Sequence, residues 1–367
     1  MKKNNHSRKF APAGIIFAIL GLVLFGYFVR KAGVSEIVDG IKRLGVGFLL
    51  IIVISGLRHT VRALAWMRCV EQPYSLRFRD VFAARLMGDA LGNVIPLASI
   101  AVAEPSKAVF VRHRIPLIAG LSSIALENMF YGLSVILFIF SGISALLLSF
   151  SLPKALRYAS IGALIVSVLV AVLGYLVVRK QWRFLSRALK SLDDRGVARD
   201  WMLRLTPRAE SLEDRVYGFY ERNRGRLLQI FGLEVCFHLA GVTEVYTTLA
   251  FISGTKAPTL LTAFILESVN RVINVAFKFV PLRTGVDEAG TGMLSKVLGY
   301  TTAIGVTLAI VRKARDIFWS SIGIALIVRR GLSIRSAAID AEDVVDEIDA
   351  TAGDVQELPA GGLRKSL

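Results

Sequence analysis

Long apolar segments constrain this sequence more than any other feature, since each is close to the ~20 residues that an α-helix needs to cross a hydrocarbon layer. The clearest are residues 11–29 and 155–178. Four more follow the same pattern, at 46–70, 116–150, 227–252 and 300–328. Hydrophobic residues make up 54% of the chain, more than soluble globular proteins contain. The sequence therefore predicts an all-α polytopic membrane protein with about six transmembrane helices.

The first apolar segment is predicted to be a retained helix. The basic start MKKNNHSRK resembles the beginning of a signal peptide. However, the apolar core exceeds the usual ~7–15 residues, and no small-residue cleavage pattern follows Tyr27. Residues 1–10 are then a short N-terminus before the first helix.

The positive charge is concentrated between predicted helices. The formal net charge is +17, and residues 179–226 contain thirteen Lys and Arg against seven Asp and Glu. Such a loop belongs on the cytoplasmic side, so residues 179–226 are predicted to be a cytoplasmic linker, and nucleic-acid binding is disfavoured. Counting the helices outward places both termini in the cytoplasm. The expected membrane is a bacterial-type inner membrane. Residues 331–367 are acidic and are predicted to form a disordered cytoplasmic tail.

Two polar segments do not fit the pattern of spanning helices. Residues 80–112 and 259–298 are long enough for two half-helices, and each has both ends on one side of the predicted membrane. Irregular backbone at membrane depth is tolerated where it faces protein or a hydrated cavity. We therefore expect two re-entrant helical hairpins that enter from opposite faces. The predicted breaks are Gly92 and Pro96 in the first segment and Pro281 and Gly285 in the second.

The two segments also suggest an internal duplication. An offset of 185 positions aligns Pro96 with Pro281, Leu97 with Leu282 and Gly120 with Gly305. The identities are few, but the spacing agrees with the topology derived from charge. Residues 11–178 and 227–330 are predicted to be two membrane halves related as an inverted-topology repeat. In transporters, such repeats place the binding site near the midplane of the bilayer.

Basic residues inside the predicted membrane segments need an explanation, because each costs roughly 2.5–3.5 kcal/mol at mid-bilayer. The planar fork of arginine suits phosphate, so a hydrated basic cavity is predicted to bind an anionic lipid headgroup. The predicted substrate-binding residues are Arg58, Arg62, Lys107, Arg271, Lys278, Arg283, Arg312 and Arg315.

Acidic residues accompany these bases and have two alternative roles. They either lock the helices together through ion pairs or carry protons during transport, and the sequence leaves both open. A pair between Arg312 and Asp316 is expected from their spacing of four, and Glu127 is expected to meet Arg312 across the repeat axis. The predicted carboxylates are Glu104, Glu127, Glu267, Asp287, Glu288 and Asp316.

Signals of catalysis or of a cofactor are absent from the sequence. There is no nucleotide-binding loop, GxSxG or HExxH motif. Cys69 and Cys236 are predicted to be small buried hydrophobic residues, and His59 and His238 lack companion ligands at metal spacing. We therefore expect no metal, no cofactor and no enzymatic activity.

Several of these residues carry a family resemblance. Arg62 with Trp66, GNVIP at 92–96 followed by Glu104 and Lys107, the mid-helix Glu127, and Pro281, Gly285 and Glu288 form the pattern. It resembles the flippase-like domain of lysylphosphatidylglycerol synthase/flippases over most of residues 11–330. The chain departs from the family where PLASIAVAE separates Pro96 from Glu104 without a glycine.

The resemblance implies a domain that moves an amphipathic lipid between leaflets. Family members with synthase activity have a further C-terminal domain of the acyltransferase type. This chain has a short acidic tail at that position, so aminoacyl transfer is not expected. The expected substrate is a phospholipid or a polyprenyl-phosphate-linked lipid with an anionic or otherwise charged headgroup, and homo-oligomers are left open. The alternatives are a secondary transporter of small solutes or ions and, less favoured, a membrane-embedded lipid-modifying enzyme.

Overall fold

The computed structural model describes most of the chain as helix. The described residues are 23, 26–27, 29–30, 33–94, 99–181, 183, 186–187, 190–191, 199–254, 256–278, 280 and 283–330. The predictions for the N-terminus 1–10, the tail 331–367, Pro96, Pro281 and most of the segment 11–29 lie outside these residues.

Eleven helices are defined within the described ranges, and no strand is found there. They are α1 (Val34–Leu44), α2 (Gly47–Cys69), α3 (Phe78–Val94), α4 (Ser99–Phe110), α5 (Leu117–Ser149), α6 (Lys154–Arg179), α7 (Arg199–Arg222), α8 (Arg224–Ile252), α9 (Leu260–Ala276), α10 (Val286–Val297) and α11 (Thr302–Arg329).

Within the described part of the chain, four helices are long and apolar enough to cross a membrane. They are α2, α5, α6 and α8, and their apolar segments match the predicted spans. The long helix α11 does not reach the same apolar character, because charged residues occupy its middle around Arg312 and Asp316. The all-α polytopic membrane architecture is confirmed. Cys69 is buried as predicted, whereas Cys236 is exposed, so the prediction for Cys236 was wrong.

The repeat extends helix by helix through the two hairpins. α3 and α9 have 17 residues each, and α4 and α10 have 12 residues each. The linker inside the second hairpin is longer by five residues, and the loop after that hairpin is shorter by two. The offset therefore changes from 182 at α3 and α9 to 185 at α5 and α11. This last value is the offset that Gly120 and Gly305 indicated.

Helix packing follows the same repeat. α2 packs against α8, α5 packs against α9, and α11 packs against α3. The long helix after each hairpin thus covers the first helix of the other hairpin, as two halves related by a two-fold axis would. Glycines allow close approach at both crossings, because a methyl group at Gly323 would collide with the Leu86 carbonyl and one at Gly142 would collide with Ser268.

The open ends of the two hairpins lie at opposite ends of the bundle. Arg114 Nε donates to Asp80 Oδ2 at 3.0 Å and joins the flanks of the α3–α4 hairpin. Arg330 Nη1 donates to the Phe110 carbonyl at 3.0 Å, which places the end of α11 there too. We call this the basic end. At the other end, Lys256 Nζ donates to the Leu298 carbonyl at 3.1 Å and joins the flanks of the α9–α10 hairpin. We call this the Lys256 end.

The predicted linker 179–226 contains a helix of its own. α7 packs against α5, and Arg222 at its end donates to Glu71 Oε1 at 2.9 Å. Arg226, at the start of α8, donates to the Val70 carbonyl at 3.2 Å. The basic end therefore gathers the segment that links α2 to α3, the junction of α7 and α8, and the end of α11.

Two apolar cores lie on either side of a polar layer. The core at the Lys256 end includes Ile51 of α2, Leu249 of α8 and Leu308 of α11. The core at the basic end includes Trp66 of α2 and Ile327 of α11. Along α2 and α11 the charged residues fall between these two cores. The fold therefore holds the charged side chains of α2 and α11 at mid-depth in the bundle.

Candidate functional site

The first charge cluster surrounds Glu127 on α5. Arg62 Nε donates to Glu127 Oε1 at 2.6 Å, and Arg85 Nη1 donates to the same oxygen at 3.0 Å. Glu234 Oε2 lies 3.7 Å from Arg62 Nε. The Arg62 guanidinium also stacks over the Tyr131 ring, 3.8 Å from its centroid. All four charged side chains are buried, so this cluster is an ion-pair network shielded from water.

The second charge cluster surrounds Glu267 on α9. One carboxylate oxygen accepts from Arg58 Nη2 at 3.4 Å and from Arg271, one turn along the same helix. The other oxygen accepts from Arg312 Nη2 at 3.4 Å. One carboxylate therefore joins arginines from α2, α9 and α11.

A chain of ion pairs leads outward from the second cluster. Arg58 Nη1 donates to Glu244 Oε2 at 2.8 Å, and the other Glu244 oxygen accepts from Arg315. Arg315 Nε then donates to Asp316 Oδ1 at 3.0 Å. Asp316 Oδ2 accepts from Arg283 Nη2 at 3.3 Å. The predicted pair of Asp316 with Arg312 is replaced by these pairs with Arg315 and Arg283.

A third charge cluster lies where α10 begins. Gly285 has φ 83°, a conformation that favours glycine, and its N–H donates to Glu288 Oε2 at 2.7 Å. Lys313 of α11 donates to the other Glu288 oxygen. Asp287 lies 3.8 Å from Arg283 Nε and 3.9 Å from Lys313 Nζ. Gly285 therefore precedes the second helix of the hairpin, and its cap belongs to the charge network.

A fourth charge cluster lies on the first hairpin. Lys107 Nζ is 2.9 Å from Glu104 Oε1 and 3.0 Å from Asp89 Oδ1. Asn128 Nδ2 of α5 donates to Glu104 Oε2 at 2.8 Å. His59 Nδ1 of α2 lies 3.8 Å from Asp89 Oδ2. The two helices of the hairpin are thus connected by a buried lysine and two acids.

The two halves carry opposite charges at equivalent positions. The Arg85–Glu127 pair of the first half recurs as the Glu267–Arg312 pair of the second, with the signs exchanged and a distance of 3.4 Å. Glu127 and Arg312 therefore each pair with a hairpin residue of their own half, and the predicted contact between them across the axis is not made. The equivalent positions, at offsets of 182 or 185, are Arg85 and Glu267, Asp89 and Arg271, and Glu127 and Arg312.

The network is balanced in charge within the described residues. Its members number nine bases and nine acids, so carboxylates equal the basic groups in number where an arginine-lined cavity was predicted. The bases are Arg58, Arg62, Arg85, Lys107, Arg271, Arg283, Arg312, Lys313 and Arg315, and the acids are Asp89, Glu104, Glu127, Glu234, Glu244, Glu267, Asp287, Glu288 and Asp316.

Only part of this network is accessible. The side chains of Asp89 and Glu104 are 34% and 29% exposed, and those of Arg283 and Asp316 are 22% and 21% exposed. The arginines of the first two charge clusters are nearly closed off. The partly exposed members of the network therefore lie on or beside the two hairpins, and the members of the first two charge clusters lie deeper.

Seven of the eight predicted substrate-binding residues lie in the network. The exception is Lys278, which is exposed just after α9. All six predicted carboxylates are members as well. Gly92 lies partly buried in the last turn of α3.

Sequence reasoning did not assign five members of the network. Glu234 and Glu244 are acids in the middle of an apolar segment, and this was a usable signal. Arg85 and Asp89 lie in the segment predicted as a hairpin, where charge near a break is less unusual. Lys313 adjoins Arg312, a predicted member. Asp89, Glu234 and Glu244 become apparent once each buried base is required to have an acid, and Arg85 and Lys313 once each buried acid is required to have a base.

The chain was compared with known families and proteins. It matches the family described as Lysylphosphatidylglycerol synthase TM region over residues 13–323. The match contains both hairpins and every member of the charge network. No curated protein and no solved structure matches the chain.

Proposed function

This chain belongs to the lysylphosphatidylglycerol synthase transmembrane-region family, and from that premise we propose that it moves a lipid with an anionic or otherwise charged headgroup between membrane leaflets. The lipid is a phospholipid or a polyprenyl-phosphate-linked lipid. The protein acts as a transporter, without a cofactor and without catalysing a covalent step.

The observation that carries this proposal is the charge network at mid-depth with accessible members on both hairpins. A lipid headgroup loses its hydration when it enters a bilayer, so its path needs polar partners. Arg283, with its guanidinium 3.3 Å from Asp316, offers a partly exposed cation near the Gly285 break. A headgroup phosphate would take the place of Asp316 as the partner of Arg283.

The same exchange is energetically reasonable deeper in the network. A buried ion pair gains roughly as much from attraction as it loses by desolvation. Replacing a carboxylate by a phosphate near Arg62 or Arg312 therefore changes the net free energy little, provided that the displaced carboxylate finds another partner. Neighbouring acids share arginines here, as Glu244 and Glu267 share Arg58, so such exchanges require small movements.

We place the basic end of the bundle in the cytoplasm by the positive-inside rule. The α3–α4 hairpin then re-enters from the cytoplasm and the α9–α10 hairpin re-enters from the opposite side. Both termini are cytoplasmic and the membrane is a bacterial-type inner membrane. Transport follows from rocking of one half against the other around the shared polar layer.

A reconstitution assay tests the proposal. Purified protein in liposomes should increase the movement of fluorescent phosphatidylglycerol between leaflets, compared with protein-free liposomes. Arg283→Gln should slow this movement roughly tenfold or more, because the loss of a hydrogen bond between charged groups is worth about 1.5–3 kcal/mol. Arg222→Gln is the matched control, since Arg222 pairs with Glu71 at the exposed basic end, and it should transport normally.

Two outcomes of this assay contradict the proposal. One is equal lipid movement with and without the wild-type protein. The other is uptake of water-soluble glycerol phosphate in the absence of lipid movement, which would favour the alternative of a small-solute transporter. That alternative is supported by the balance of acids and bases, because a neutral network does not select anions by charge alone.

A further inference from the structure

Glu234 differs from every other acid of the network. It lies in the middle of α8, its side chain is fully buried, and neither carboxylate oxygen accepts a hydrogen bond. Among the buried carboxylates that the structure describes, Glu234 is the one whose two oxygens both lack a hydrogen bond. The nearest cationic atom is Arg62 Nε, at 3.7 Å.

The reason for this isolation is competition for Arg62. Arg62 Nε donates to Glu127 Oε1 at 2.6 Å, and Arg85 donates to the same oxygen. Two arginines thus converge on Glu127 and leave Glu234 without a donor. The charged or titratable groups around Glu234 are Arg62 and Cys69 on α2, Arg85 on α3 and Glu127 on α5, with Tyr131 of α5 on the Arg62 guanidinium.

A buried carboxylate without hydrogen bonds is unfavourable as an ion and much less so as a neutral acid. With Glu234 ionised, the first charge cluster contains two cations and two anions. With Glu234 protonated, it contains two cations and one anion. The cluster then has an excess positive charge and can accept one negative charge from a ligand.

We propose that Glu234 binds a proton when an anionic headgroup enters the first charge cluster and releases that proton when the headgroup leaves. A carboxylate oxygen forms an O–H bond with the proton of a hydronium ion, one O–H bond of that ion breaks, and a water molecule is left; release of the proton reverses the step. One proton accompanies one negative charge, so both move in the same direction and the cluster stays neutral. This inference rests on the proposed function for the identity of the anion.

Proton binding can be tested without any transport. Infrared difference spectra of the full-length protein, recorded between about pH 6 and about pH 8, should contain the carbonyl band of a protonated carboxyl group, because exposed carboxyl groups, with an ordinary pKa of about 4, stay ionised over this range. Glu234→Gln should remove this band, and Glu36→Gln should keep it, because Glu36 is an exposed acid of α1. The absence of a band that depends on Glu234 would overturn the inference.

Coupling to the anion is tested by proton uptake. Adding dioctanoyl phosphatidylglycerol to the protein in weak buffer should raise the pH. The size of the rise should correspond to the uptake of about one proton for each lipid bound. Dioctanoyl phosphatidylcholine is the control lipid, and it should cause no uptake. Glu234→Gln should still bind phosphatidylglycerol without proton uptake, and matching thermal unfolding temperatures would show that the variant is folded.

The two measurements separate the inference from the proposed function. If wild-type protein binds phosphatidylglycerol without proton uptake, the inference fails and the lipid proposal stands. If the infrared band depends on Glu234 but no anionic lipid binds or moves, the proton site stands and the lipid proposal fails. If Glu234→Gln takes up protons as the wild type does, another group is the carrier and the inference is wrong.

Discussion

At the scale of single residues, the structure changes what a mutation of the buried charges is expected to do. Arg62 and Arg312 are held by carboxylates and have little access to solvent. Removing one partner of a buried pair leaves an uncompensated charge and destabilises a protein by about 3–5 kcal/mol. Loss of transport in such a variant would therefore not distinguish a defect in binding from a defect in folding. Arg283 is partly exposed, so its substitution is the better test of binding.

Glu267→Gln should destabilise the protein strongly. Glu267 is the common partner of Arg58, Arg271 and Arg312, so its neutralisation leaves three cations close together. We expect a loss of about 3–5 kcal/mol, seen as a lower midpoint of thermal unfolding in detergent. Adding Arg312→Met should restore part of the loss, because it removes one of the uncompensated cations.

Glu36→Gln is the matched control for this stability measurement. Glu36 is exposed on α1, so its neutralisation should leave the unfolding midpoint unchanged. An equal midpoint for Glu267→Gln and wild type would contradict this prediction. It would mean that the three arginines do not depend on this carboxylate for their stability in the folded protein.

Most members of the site were predictable from the sequence, whereas the pairings between them were not. A base in an apolar segment is visible from composition alone, as with Arg58 and Arg62. One partner of Arg58 is Glu244, which lies 186 positions away. That pairing depends on how α2 crosses α8, and the pattern within one helix carries no information about a crossing. The isolation of Glu234 follows from the same crossing and was equally hidden.

At the scale of elements, the helix crossings depend on glycines at specific positions. α11 lies against α3 because Gly323 has no side chain to collide with Leu86 and Ala90. α5 approaches α9 at Gly142 in the equivalent way. Each contact fixes a hairpin against the long helix of the opposite half, and through it the positions of Asp89 and Glu267.

Gly323→Ala should separate α11 from α3. The added methyl group would collide with backbone of α3, which cannot move without displacing the hairpin. Overpacking of this kind costs typically about 1–3 kcal/mol, so the midpoint of thermal unfolding should fall. Gly132→Ala is the matched control, since a methyl group there meets no atom within 4 Å. If both variants unfold at the wild-type temperature, the crossing is looser than described.

The hairpins were predictable as elements, and their bounds came close. Residues 80–112 and 259–298 contain the observed pairs α3–α4 and α9–α10 almost completely. Polar residues with Gly and Pro between apolar spans gave this signal. The helices α1 and α7 were not predicted, because both are short or highly charged, and their pattern lacks a long apolar segment.

At the scale of the whole molecule, the repeat explains why the charges form a layer. The two repeat units, residues 78–149 and 260–329, pack with their hairpins open at opposite ends, and Asp89 of the first hairpin and Glu267 of the second both belong to the charge network. Opposite charges at equivalent positions then let each half neutralise its own long helix. A repeat with identical charges in both halves would bring like charges to the centre.

The orientation of this molecule is the remaining prediction, and single cysteines can test it. In a background with Cys69 and Cys236 replaced by serine, Ser151→Cys places a thiol in the exposed loop between α5 and α6. His113→Cys places one in the exposed loop between α4 and α5. Phe150 and Leu152 pack with the core at the Lys256 end, whereas Arg114 binds Asp80 at the basic end.

A membrane-impermeant maleimide should label the Ser151→Cys variant in intact spheroplasts and the His113→Cys variant only after the membrane is opened. The physical reason is the density of Lys and Arg at the basic end, which is retained on the cytoplasmic side during insertion. The opposite labelling pattern would mean that the protein has the reverse orientation in the membrane, and that each hairpin enters from the other side. The charge network would remain at mid-depth, but Asp89 and Glu104 would then be approached through the hairpin that opens to the outside.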